Sequence, residues 1–321
     1  MTQATRVTRD IRAVRLNAHN RPVYVESVAL GEPDQGETVV EMVYGGVNPV
    51  DAYAAKGLVA PDGPLPRTLG GEGAGTLDGR NVLVAGGGLG ATRDGVWAQA
   101  VTTPEVAVVE LPDGVDLQQA AALGVAGLTA FHVVETVGRI GPDDRVLVLG
   151  ASGGVGGPIC SFAASTGATV VGQTGSEDKV AAIRESGASD VLVCDADELT
   201  AAAAEFRPTV VVDPLGGAFT PAALGAMQKR GRLVVYGTSA GPDVQLNLQQ
   251  VYRNQLSILS YAGLILSPEQ RRTGLEKALR VLADGRMQIR IDRVLPLDQV
   301  TDAFGLIADR GLSGKVLLDC R

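Results

Sequence analysis

Residues 146–157 read VLVLGASGGVGG, and this stretch decides the class of fold. The four apolar residues at its start predict a buried strand, and the glycine cluster leads into the helical pattern of 158–164. A strand, a turn of small residues and a helix that begins at the turn form a pyrophosphate site, because the backbone can approach the phosphates and the helix N-terminus supplies free N–H groups. Ala151, Gly153 and Gly156 occupy the three small positions of the dinucleotide fingerprint. Such a turn also occurs where a helix only packs tightly on a strand, so the prediction depends on the pattern of the next hundred residues.

Strand-like and helix-like segments alternate after this turn. We predict strands at 168–172, 190–193, 209–213 and 232–236, and helices at 176–185 and 219–229. This alternation is typical of right-handed βαβ units, which build a parallel sheet and bind their ligand at the carboxyl ends of the strands. The sequence therefore predicts an α/β nucleotide-binding domain with a doubly wound parallel sheet.

The end of the second strand distinguishes between two nicotinamide cofactors. A site for NAD usually places Asp or Glu there to hold the ribose 2′-hydroxyl, whereas this position falls near Gln173 and Thr174. Ser176 and Lys179 come next, and their hydroxyl and ammonium groups can donate hydrogen bonds to a 2′-phosphate. In a second interpretation, compatible with the first, Ser176 caps the next helix and the two acidic residues after it complement the helix dipole. We predict NADPH as the cofactor, with those acidic residues as the main contrary signal.

The composition excludes several classes of function. The chain has 321 residues, enough for two domains, and its formal net charge of −8 without any Lys or Arg run argues against a nucleic-acid surface. No stretch has the apolar length of a membrane span, and the N-terminal sequence MTQATRVTRDIRAVR lacks the apolar segment of a signal peptide. The three cysteines lie far apart in sequence, as in a reduced compartment, so we predict a cytoplasmic protein.

The sequence offers few metal ligands. His19 and His132 are the two histidines, and the chain has no CxxC pair. His132 lies in an apolar helical run and is predicted to pack there, while His19 lies in a polar turn at the surface. Neither histidine is near a nucleophile elbow. We therefore predict no metal site and no hydrolase chemistry.

The remaining chain flanks the nucleotide-binding domain. Before it, short β-like pieces such as 23–26 and 38–43 are separated by Gly, Pro, Asp and Asn, which predicts a β-rich domain with loops. The other predicted elements are a helix at 116–137, a strand at 256–261, a helix at 268–284 and a strand at 315–319. A second glycine run at 85–90 is not followed by a helical pattern, so we interpret it as a loop and not as a second nucleotide site.

Several motifs, spread over nearly the whole chain, point to one known family. They are 47–51 (VNPVD), 70–75 (GGEGAG), 121–124 (AALG) with 127–130 (GLTA), the glycine turn, 212–217 (VDPLGG), 231–237 (GRLVVYG) and 314–316 (GKV). Together they resemble the medium-chain dehydrogenase/reductase superfamily, specifically its zinc-free quinone oxidoreductase-like branch. The resemblance implies a GroES-like catalytic domain at 1–133 and 258–321, into which a Rossmann domain at 134–257 is inserted. Gly71 stands where zinc-dependent relatives carry a histidine, and the segment 47–51 has no cysteine.

The resemblance also implies cofactor contacts, residue by residue. Those expected are Asn48 near the nicotinamide ribose, Thr129 near the nicotinamide, Ser152, Gly153, Gly154 and Val155 along the diphosphate, Ser176 and Lys179 with Thr174 at the adenosine 2′-phosphate, and Gly237 and Thr238 in the nicotinamide pocket. Each of three positions has a structural alternative. Asn48 could be a turn former before Pro49, Thr129 a helix-interior residue, and Asp213 a turn residue at a strand end.

Without a metal, reduction of a carbonyl group lacks its usual Lewis acid, so reduction of a conjugated C=C bond suits these residues better. Hydride from NADPH would add to the β-carbon of a quinone, enone or enal, and the charge that develops on oxygen would need positioned donors. Tyr53 and Asn48 are the candidate catalytic residues. Tyr53 matches a tyrosine of quinone oxidoreductase-like members and would donate a hydrogen bond or the α-proton; its alternative role is packing.

Two other functions stay open at this point. An enoyl-thioester reductase would need a basic patch for a coenzyme A or carrier phosphate, and many such enzymes carry a tyrosine where this chain has Leu58 and Val59. A nucleotide-binding protein without catalysis would bind NADPH and turn over nothing. The resemblance implies a homodimer, and the segment 256–261 could pair across a two-fold axis or form an ordinary edge strand.

Overall fold

The computed structural model describes residues 7–309 and 311–321, with the backbone alone described for Val7 and Thr8. Residues 1–6, at the start of the stretch in which we found no signal peptide, lie outside the described residues. The strands are β1 (Val7–Leu16), β2 (Tyr24–Gly31), β3 (Glu37–Val47), β4 (Arg67–Thr68), β5 (Glu72–Leu77), β6 (Arg80–Ala85), β7 (Ala100–Pro104), β8 (Val108–Glu110), β9 (Arg145–Val148), β10 (Thr169–Thr174), β11 (Asp190–Val193), β12 (Val210–Asp213), β13 (Arg232–Val235), β14 (Ser257–Ser260), β15 (Ile291–Pro296) and β16 (Lys315–Asp319).

The α-helices are α1 (Pro49–Ala55), α2 (Leu117–Ala121), α3 (Leu128–Phe131), α4 (Gly156–Ser165), α5 (Val180–Glu185), α6 (Ala196–Ala202), α7 (Phe219–Ala226), α8 (Leu248–Arg253), α9 (Pro268–Ala283) and α10 (Val300–Ala308). Among the described residues, none of these helices combines the length and the apolar character that crossing a membrane requires.

The chain divides into two compact units. One consists of the chain up to Val125 together with Leu266–Ala283 and Ile291–Arg321, and the other consists of Ala126–Ile265 with Asp284–Arg290. The first unit is β-rich and mostly antiparallel, while the second carries a parallel sheet flanked by helices. The predicted fold class is therefore confirmed. The domain limits that the resemblance implies stay a prediction.

The sheet of the second unit has the order β11-β10-β9-β12-β13-β14 within the described residues, and every neighbouring pair is parallel. The chain starts in the middle of the sheet and winds outward on both sides, as a doubly wound fold does. Strands covered on both faces must be apolar throughout, and Val146, Leu147 and Val148 of β9 are fully buried. The carboxyl ends of β9 and β12 lie side by side at the point where the winding direction reverses. Folds of this class bind their ligands there.

The first unit forms its core around Trp97, which is fully buried. In its larger sheet the strands follow the path β15-β16-β3-β5-β6-β8, with β7 paired to β3, and a smaller sheet has the order β2-β1-β4. The indole Nε1 of Trp97 donates to the Gly46 carbonyl at 3.1 Å. Gly45 and Gly70 lie against the same ring, where a Cβ would overlap it. The glycines of the segment 70–75 are thus partly explained by close packing.

The helix predicted at 116–137 is interrupted. Asp116 caps α2 by accepting from the N–H groups of Gln118 and Gln119, but π-helical turns follow at Leu123–Gly127 and His132–Val137, on either side of α3. The Val125 N–H lies in the first π-helical turn and donates to the Glu72 carboxylate on β5, at 2.7 Å. A side chain that captures an N–H in this way favours a π-helical turn, a feature that often occurs near functional sites.

Candidate functional site

The glycine turn between β9 and α4 has the geometry of a phosphate cradle. Gly150 adopts a left-handed φ of 59°, which favours glycine. A Cβ at Gly156 would lie 2.5 Å from the Gly150 carbonyl oxygen, so this second position requires glycine. Ala151, at the first small position of the fingerprint, is fully buried. It fits because β10 has a glycine opposite it: a Cβ at Gly172 would lie 2.8 Å from the Ala151 Cβ. The close packing of the turn therefore depends on a glycine in the next strand.

The residues predicted along the diphosphate form the accessible part of this turn. The side that faces the sheet is closed by buried residues, whereas the four residues from Ser152 to Val155 are half-buried. Helix α4 begins directly after them at Gly156, and the positive end of its dipole favours an anion there. Within its first turn the Gly157 N–H already donates to the Gly153 carbonyl at 3.2 Å, and Pro158 has no N–H. A Cβ at Gly153 would lie 3.3 Å from the Gly150 carbonyl oxygen, a tight contact that the glycine avoids. The cradle thus fits a dinucleotide cofactor.

Gly237 and Thr238 lie at the same edge of the sheet as the glycine turn. They follow β13 after Tyr236, and a Cβ at Gly237 would lie 2.8 Å from the carbonyl oxygen of Pro214, the residue after β12. Thr238 is exposed. The Ser239 N–H donates to the same Pro214 carbonyl at 3.0 Å. The structure therefore brings these two residues together with the turn after β9, at the switch point.

Asp213 has a structural role at this edge. It is fully buried, and its carboxylate accepts from the N–H groups of Leu215 and Gly216 at 2.7 and 3.0 Å and from the Thr220 hydroxyl at 2.6 Å. All three donors belong to the chain after β12. Asp213 is thus the turn residue that the sequence offered as its alternative.

Gln173, at the end of β10, braces the glycine turn from inside. It is 2 % exposed, its Oε1 accepts from the Gly150 N–H at 3.1 Å, and its Nε2 donates to the Cys194 carbonyl at 2.7 Å. Its own carbonyl accepts from the Ala151 N–H at 2.9 Å. From the sequence, Gln173 was noted only because it is not acidic, and its hydrogen bonds to the glycine turn were not predicted. A polar side chain at the end of an otherwise apolar strand was the available signal.

The segment predicted to meet the 2′-phosphate lies directly after β10. Thr174 is buried, and its hydroxyl accepts from the Ser176 N–H at 3.4 Å. The Ser176 hydroxyl caps no backbone N–H and instead donates to the Asp178 carboxylate. Lys179 is half-buried and ends a 3₁₀ turn at Glu177–Lys179, before α5. The side-chain cap expected of Ser176 in the second interpretation is thus not formed, and the predicted helix at 176–185 begins as this 3₁₀ turn.

Asn48 and Tyr53, the candidate catalytic residues, lie at the start and within helix α1 of the first unit. Asn48 precedes Pro49 at the N-cap position, is 3 % exposed, and donates its N–H to the Asp51 carboxylate at 2.8 Å. Tyr53 is 45 % exposed, so its phenol can reach a ligand. Thr129, expected near the nicotinamide, is a buried residue of α3 in the second unit.

A buried polar network surrounds Asn48, and its other members were not predicted as site residues. Lys315, from β16, donates to the Asn48 Oδ1 at 2.5 Å, to the Glu72 Oε1 at 2.8 Å and to the Val47 carbonyl at 3.2 Å. The Asn48 Nδ2 also donates to the Glu72 Oε1, at 2.6 Å. Lys315 is 4 % exposed and Glu72 is fully buried. Both residues lay within motifs of the resemblance, and a lysine in an apolar strand was the signal of a buried partner.

Asp51 lies beside this network with a perturbed acidity. The pKa of its carboxyl is raised to about 7, chiefly by burial and to a smaller extent by the neighbouring Glu72, while the N–H groups of Asn48 and Gly71 and the Lys315 ammonium act in the opposite direction. The Gly71 N–H donates to Asp51 Oδ1 at 3.2 Å. Gly71 is the residue that stands where zinc-dependent relatives have histidine. Among the described residues, no three His, Cys, Asp or Glu side chains are grouped to hold a metal ion.

Comparison with known proteins agrees with the fold and the glycine turn. A family model described as zinc-binding dehydrogenase matches residues 154–280, a segment that begins within the turn. A quinone oxidoreductase of Salmonella typhimurium is 28 % identical over 331 residues, which cover 95 % of this chain and 98 % of that protein.

Two solved structures are similar over nearly their whole length. An NAD-dependent alcohol dehydrogenase has a TM-score of 0.86 at 27 % identity, with 96 % of this chain and 99 % of that chain covered. Mycobacterial Rv1454c complexed with NADPH has a TM-score of 0.85 at 22 % identity, with the same coverage, and shows the fold alone.

The chain is therefore a medium-chain dehydrogenase/reductase. Within that superfamily it is quinone oxidoreductase-like, which makes it an oxidoreductase with a fold that binds nicotinamide cofactors. The resemblance inferred from the motifs is confirmed.

Proposed function

We propose that this protein reduces a quinone, or the conjugated C=C bond of an enone or enal, with hydride from NADPH and without zinc. The observation that carries the proposal is the glycine turn at the switch point of the parallel sheet, where Gly150 has a left-handed φ and Gly156 has no space for a side chain. Its accessible residues and the N-terminus of α4 match the needs of a diphosphate. The quinone oxidoreductase-like family supports the class of reaction.

The preference for NADPH is supported by the end of β10. The last two residues of the strand supply no carboxylate for a ribose 2′-hydroxyl: Gln173 is committed to the turn and Thr174 is buried. Ser176 and Lys179 supply a hydroxyl and an ammonium group to a 2′-phosphate. Asp178 opposes this preference, since its carboxylate holds the Ser176 hydroxyl and would repel a phosphate.

Titration of nucleotide fluorescence tests this preference. We expect the wild type to bind NADPH more tightly than NADH, Lys179→Met to weaken NADPH binding without affecting NADH, and Asp178→Asn to strengthen NADPH binding. Lys229→Met, at an exposed lysine, is the matched control. Tighter binding of NADH by the wild type, or equal losses for both nucleotides in Lys179→Met, would refute the assignment.

Independence from zinc is supported by the ammonium group of Lys315, which already lies beside the Glu72 carboxylate. Glu72 is preceded by Gly71 and not by a histidine, and its buried carboxylate is neutralised by the Lys315 ammonium at 2.8 Å. A metal ion bound to this carboxylate would have to displace the ammonium group, and two cations this close repel each other strongly at low dielectric. The reaction must then meet negative charge on the substrate oxygen with hydrogen-bond donors.

Bound NADPH would supply the hydride, and the residues of the chain would orient the substrate and deliver the proton. Asn48 offers an amide N–H and Tyr53 a phenolic O–H as donors to oxygen. The exposure of Tyr53 allows its phenol to donate a hydrogen bond, or the proton that the α-carbon receives, directly or through water. We expect Tyr53→Phe to lower kcat about 10- to 100-fold with little effect on NADPH binding. Tyr24→Phe, at another exposed tyrosine of the same unit, should retain full activity.

The reaction is tested by anaerobic oxidation of NADPH against a quinone, a 2-enone, a 2-enal and an enoyl-CoA. We expect turnover with at least one of the first three. Preference for enoyl-CoA would establish the thioester reductase instead. Tight binding of NADPH without turnover of any of the four would establish a nucleotide-binding protein without this activity. Unchanged rates in Tyr53→Phe would refute the chemical role of that residue.

We also propose that the protein is a cytoplasmic homodimer whose contact is the edge strand β14. Ile258 on β14 is 43 % exposed, and Tyr252, Leu264 and Ile265, which precede and follow the strand in sequence, are more than half exposed. An exposed apolar edge strand favours pairing with a second copy. The three cysteines are free and buried, which suits a reducing compartment.

A further inference from the structure

The Lys315 ammonium is fully committed within the first unit. It has three N–H donors, and each meets one acceptor: the Asn48 carboxamide oxygen, the Glu72 carboxylate and the Val47 carbonyl. Lys315 is 4 % exposed, so water does not compete for these bonds. The strand that carries Lys315 pairs directly with β3, which ends one residue before Asn48. The side chain therefore bridges two neighbouring strands at the base of α1.

The chain makes room for the Glu72 carboxylate with two glycines. A Cβ at Gly46 would lie 2.6 Å from the Glu72 Oε1, and a Cβ at Gly124 would lie 2.9 Å from the Oε2. Oε2 accepts the Val125 N–H, and Oε1 accepts from both Lys315 and Asn48. Both oxygens of the Glu72 carboxylate therefore have hydrogen-bond partners, in space that the two glycines leave open. A buried ion pair of this kind contributes little stability over apolar residues of similar volume, so its presence calls for another reason.

The network determines which way the Asn48 carboxamide points. An ammonium group can only donate and a carboxylate can only accept, so the Oδ1 must face Lys315 and the Nδ2 must face Glu72. One of the two Nδ2 protons is thereby donated to Glu72, and the oxygen is held toward Lys315. Within the described residues, the network therefore turns the amide so that its second Nδ2 proton is the donor that Asn48 can present to a ligand.

We propose that Lys315 and Glu72 are positioning residues that fix Asn48 as a hydrogen-bond donor to a ribose hydroxyl oxygen of the bound nucleotide. This inference rests on the proposed function and on the expectation from the resemblance that Asn48 lies near the nicotinamide ribose. A donor held by two charged partners loses no rotational freedom when the ligand arrives, so its hydrogen bond contributes fully to affinity. A carboxamide released from Lys315 can rotate, so its N–H is no longer held toward the hydroxyl oxygen and part of the affinity is lost in fixing it.

A double-mutant cycle on nucleotide binding tests this inference. The dissociation constant of NADPH is measured by its fluorescence, without substrate, for the wild type, Asn48→Ala, Lys315→Met and the double variant. We expect each single variant to bind NADPH about 3- to 10-fold more weakly, as for one lost hydrogen bond. We expect the double variant to bind no more weakly than Asn48→Ala, because Lys315 acts through Asn48. Lys229→Met, an exposed lysine in the second unit, should bind as the wild type does.

Each outcome of the cycle has one meaning. Losses that add in the double variant, or an unchanged dissociation constant in Asn48→Ala, overturn the positioning role while the proposed function stands. A wild type that binds neither NADPH nor NADH overturns the proposed function itself. Circular dichroism and thermal unfolding verify that each variant is folded. Should Lys315→Met fail to fold, the cycle of Asn48→Ala with Glu72→Gln replaces it, with the same expectation of losses that do not add.

Discussion

Replacing Asp51 with asparagine should change how the stability of the protein depends on pH. Asp51 is 5 % exposed on α1, and burial raises the pKa of its carboxyl from the ordinary 3.8 to about 7. Two backbone N–H groups bind the carboxyl, from Asn48 at 2.8 Å and from Gly71 at 3.2 Å. Those bonds and the Lys315 ammonium lower the pKa, but by less than desolvation raises it.

The sign of the effect is set by proton binding. Between the two pKa values the folded protein holds a proton on Asp51 that the unfolded chain has already released. The stability contributed by this proton is fully present below the ordinary pKa and is lost as the pH rises through the folded pKa of about 7. One pKa unit corresponds to about 1.4 kcal/mol, so the wild type loses about 2 to 3 kcal/mol at this residue between pH 5 and pH 8.

Asp51→Asn does not titrate and therefore avoids this loss, but the substitution has a fixed cost. Asparagine has one side-chain oxygen, so its NH₂ group faces one of the two N–H donors and a hydrogen bond is lost. Leaving that buried donor unsatisfied costs about 1 to 3 kcal/mol. We expect the variant to be less stable than the wild type at pH 5, and to equal or exceed the wild type at pH 8.

Urea unfolding at pH 5, 6, 7 and 8 measures the difference in the free energy of unfolding between the variant and the wild type. We expect this difference to shift by about 2 to 3 kcal/mol in favour of Asp51→Asn across the series. Asp62→Asn, at an exposed aspartate, should show no such shift. A difference that stays constant from pH 5 to pH 8 would refute the reasoning, since it would mean that Asp51 has the same charge in both states throughout.

Three further changes test other parts of the structure. Gly156→Ala places a Cβ 2.5 Å from the Gly150 carbonyl oxygen, so we expect a loss of about 1 to 3 kcal/mol in urea unfolding and NADPH binding at least about tenfold weaker; wild-type values for both would contradict the proposed cradle. Ile258→Lys on the edge strand should yield a monomer in light scattering, and an unchanged dimer mass would show that the contact lies elsewhere. Dialysis against EDTA should leave kcat unchanged because Lys315 already neutralises Glu72; activity lost on dialysis and restored by zinc would disprove this.

The parallel sheet could be predicted because its strands carry their own signal. Strand β11 was predicted at 190–193 and is observed at Asp190–Val193. Its limits could be predicted because turn-forming residues bound its short apolar run. The preceding strand was predicted at 168–172 but extends to Thr174. The apolar run ends at Gly172, and the ladder continues because Gln173 finds buried partners for its side chain. Local patterning places a strand, whereas its last residues depend on contacts from elsewhere in the chain.

The polar network could not be predicted for the same physical reason. Asn48, Glu72 and Lys315 come from three segments of the chain, and only the pairing of β16 with β3 and of β3 with β5 brings them together. The first π-helical turn in the helix predicted at 116–137 has this origin too, because the Val125 N–H donates to the carboxylate of Glu72. Helix periodicity holds no information about such a partner. A buried lysine in an apolar strand indicates that a partner exists but does not say which one.

The network also suggests how the segment around Gly71 and Glu72 can function without the metal that zinc-dependent relatives bind there. In zinc-dependent relatives the residue before the glutamate is a histidine, and here it is Gly71, whose N–H binds Asp51 instead. The cation beside Glu72 is then the Lys315 ammonium, and that ammonium acts on Asn48 at 2.5 Å. A zinc ion would polarise a substrate oxygen directly, whereas the ammonium group is enclosed and reaches a ligand only through the orientation of an amide. Such a site can stabilise the delocalised charge of an enolate or a reduced quinone with neutral donors. It lacks the Lewis acid that reduction of an isolated ketone would require, so we infer that conjugation in the substrate is what this site selects.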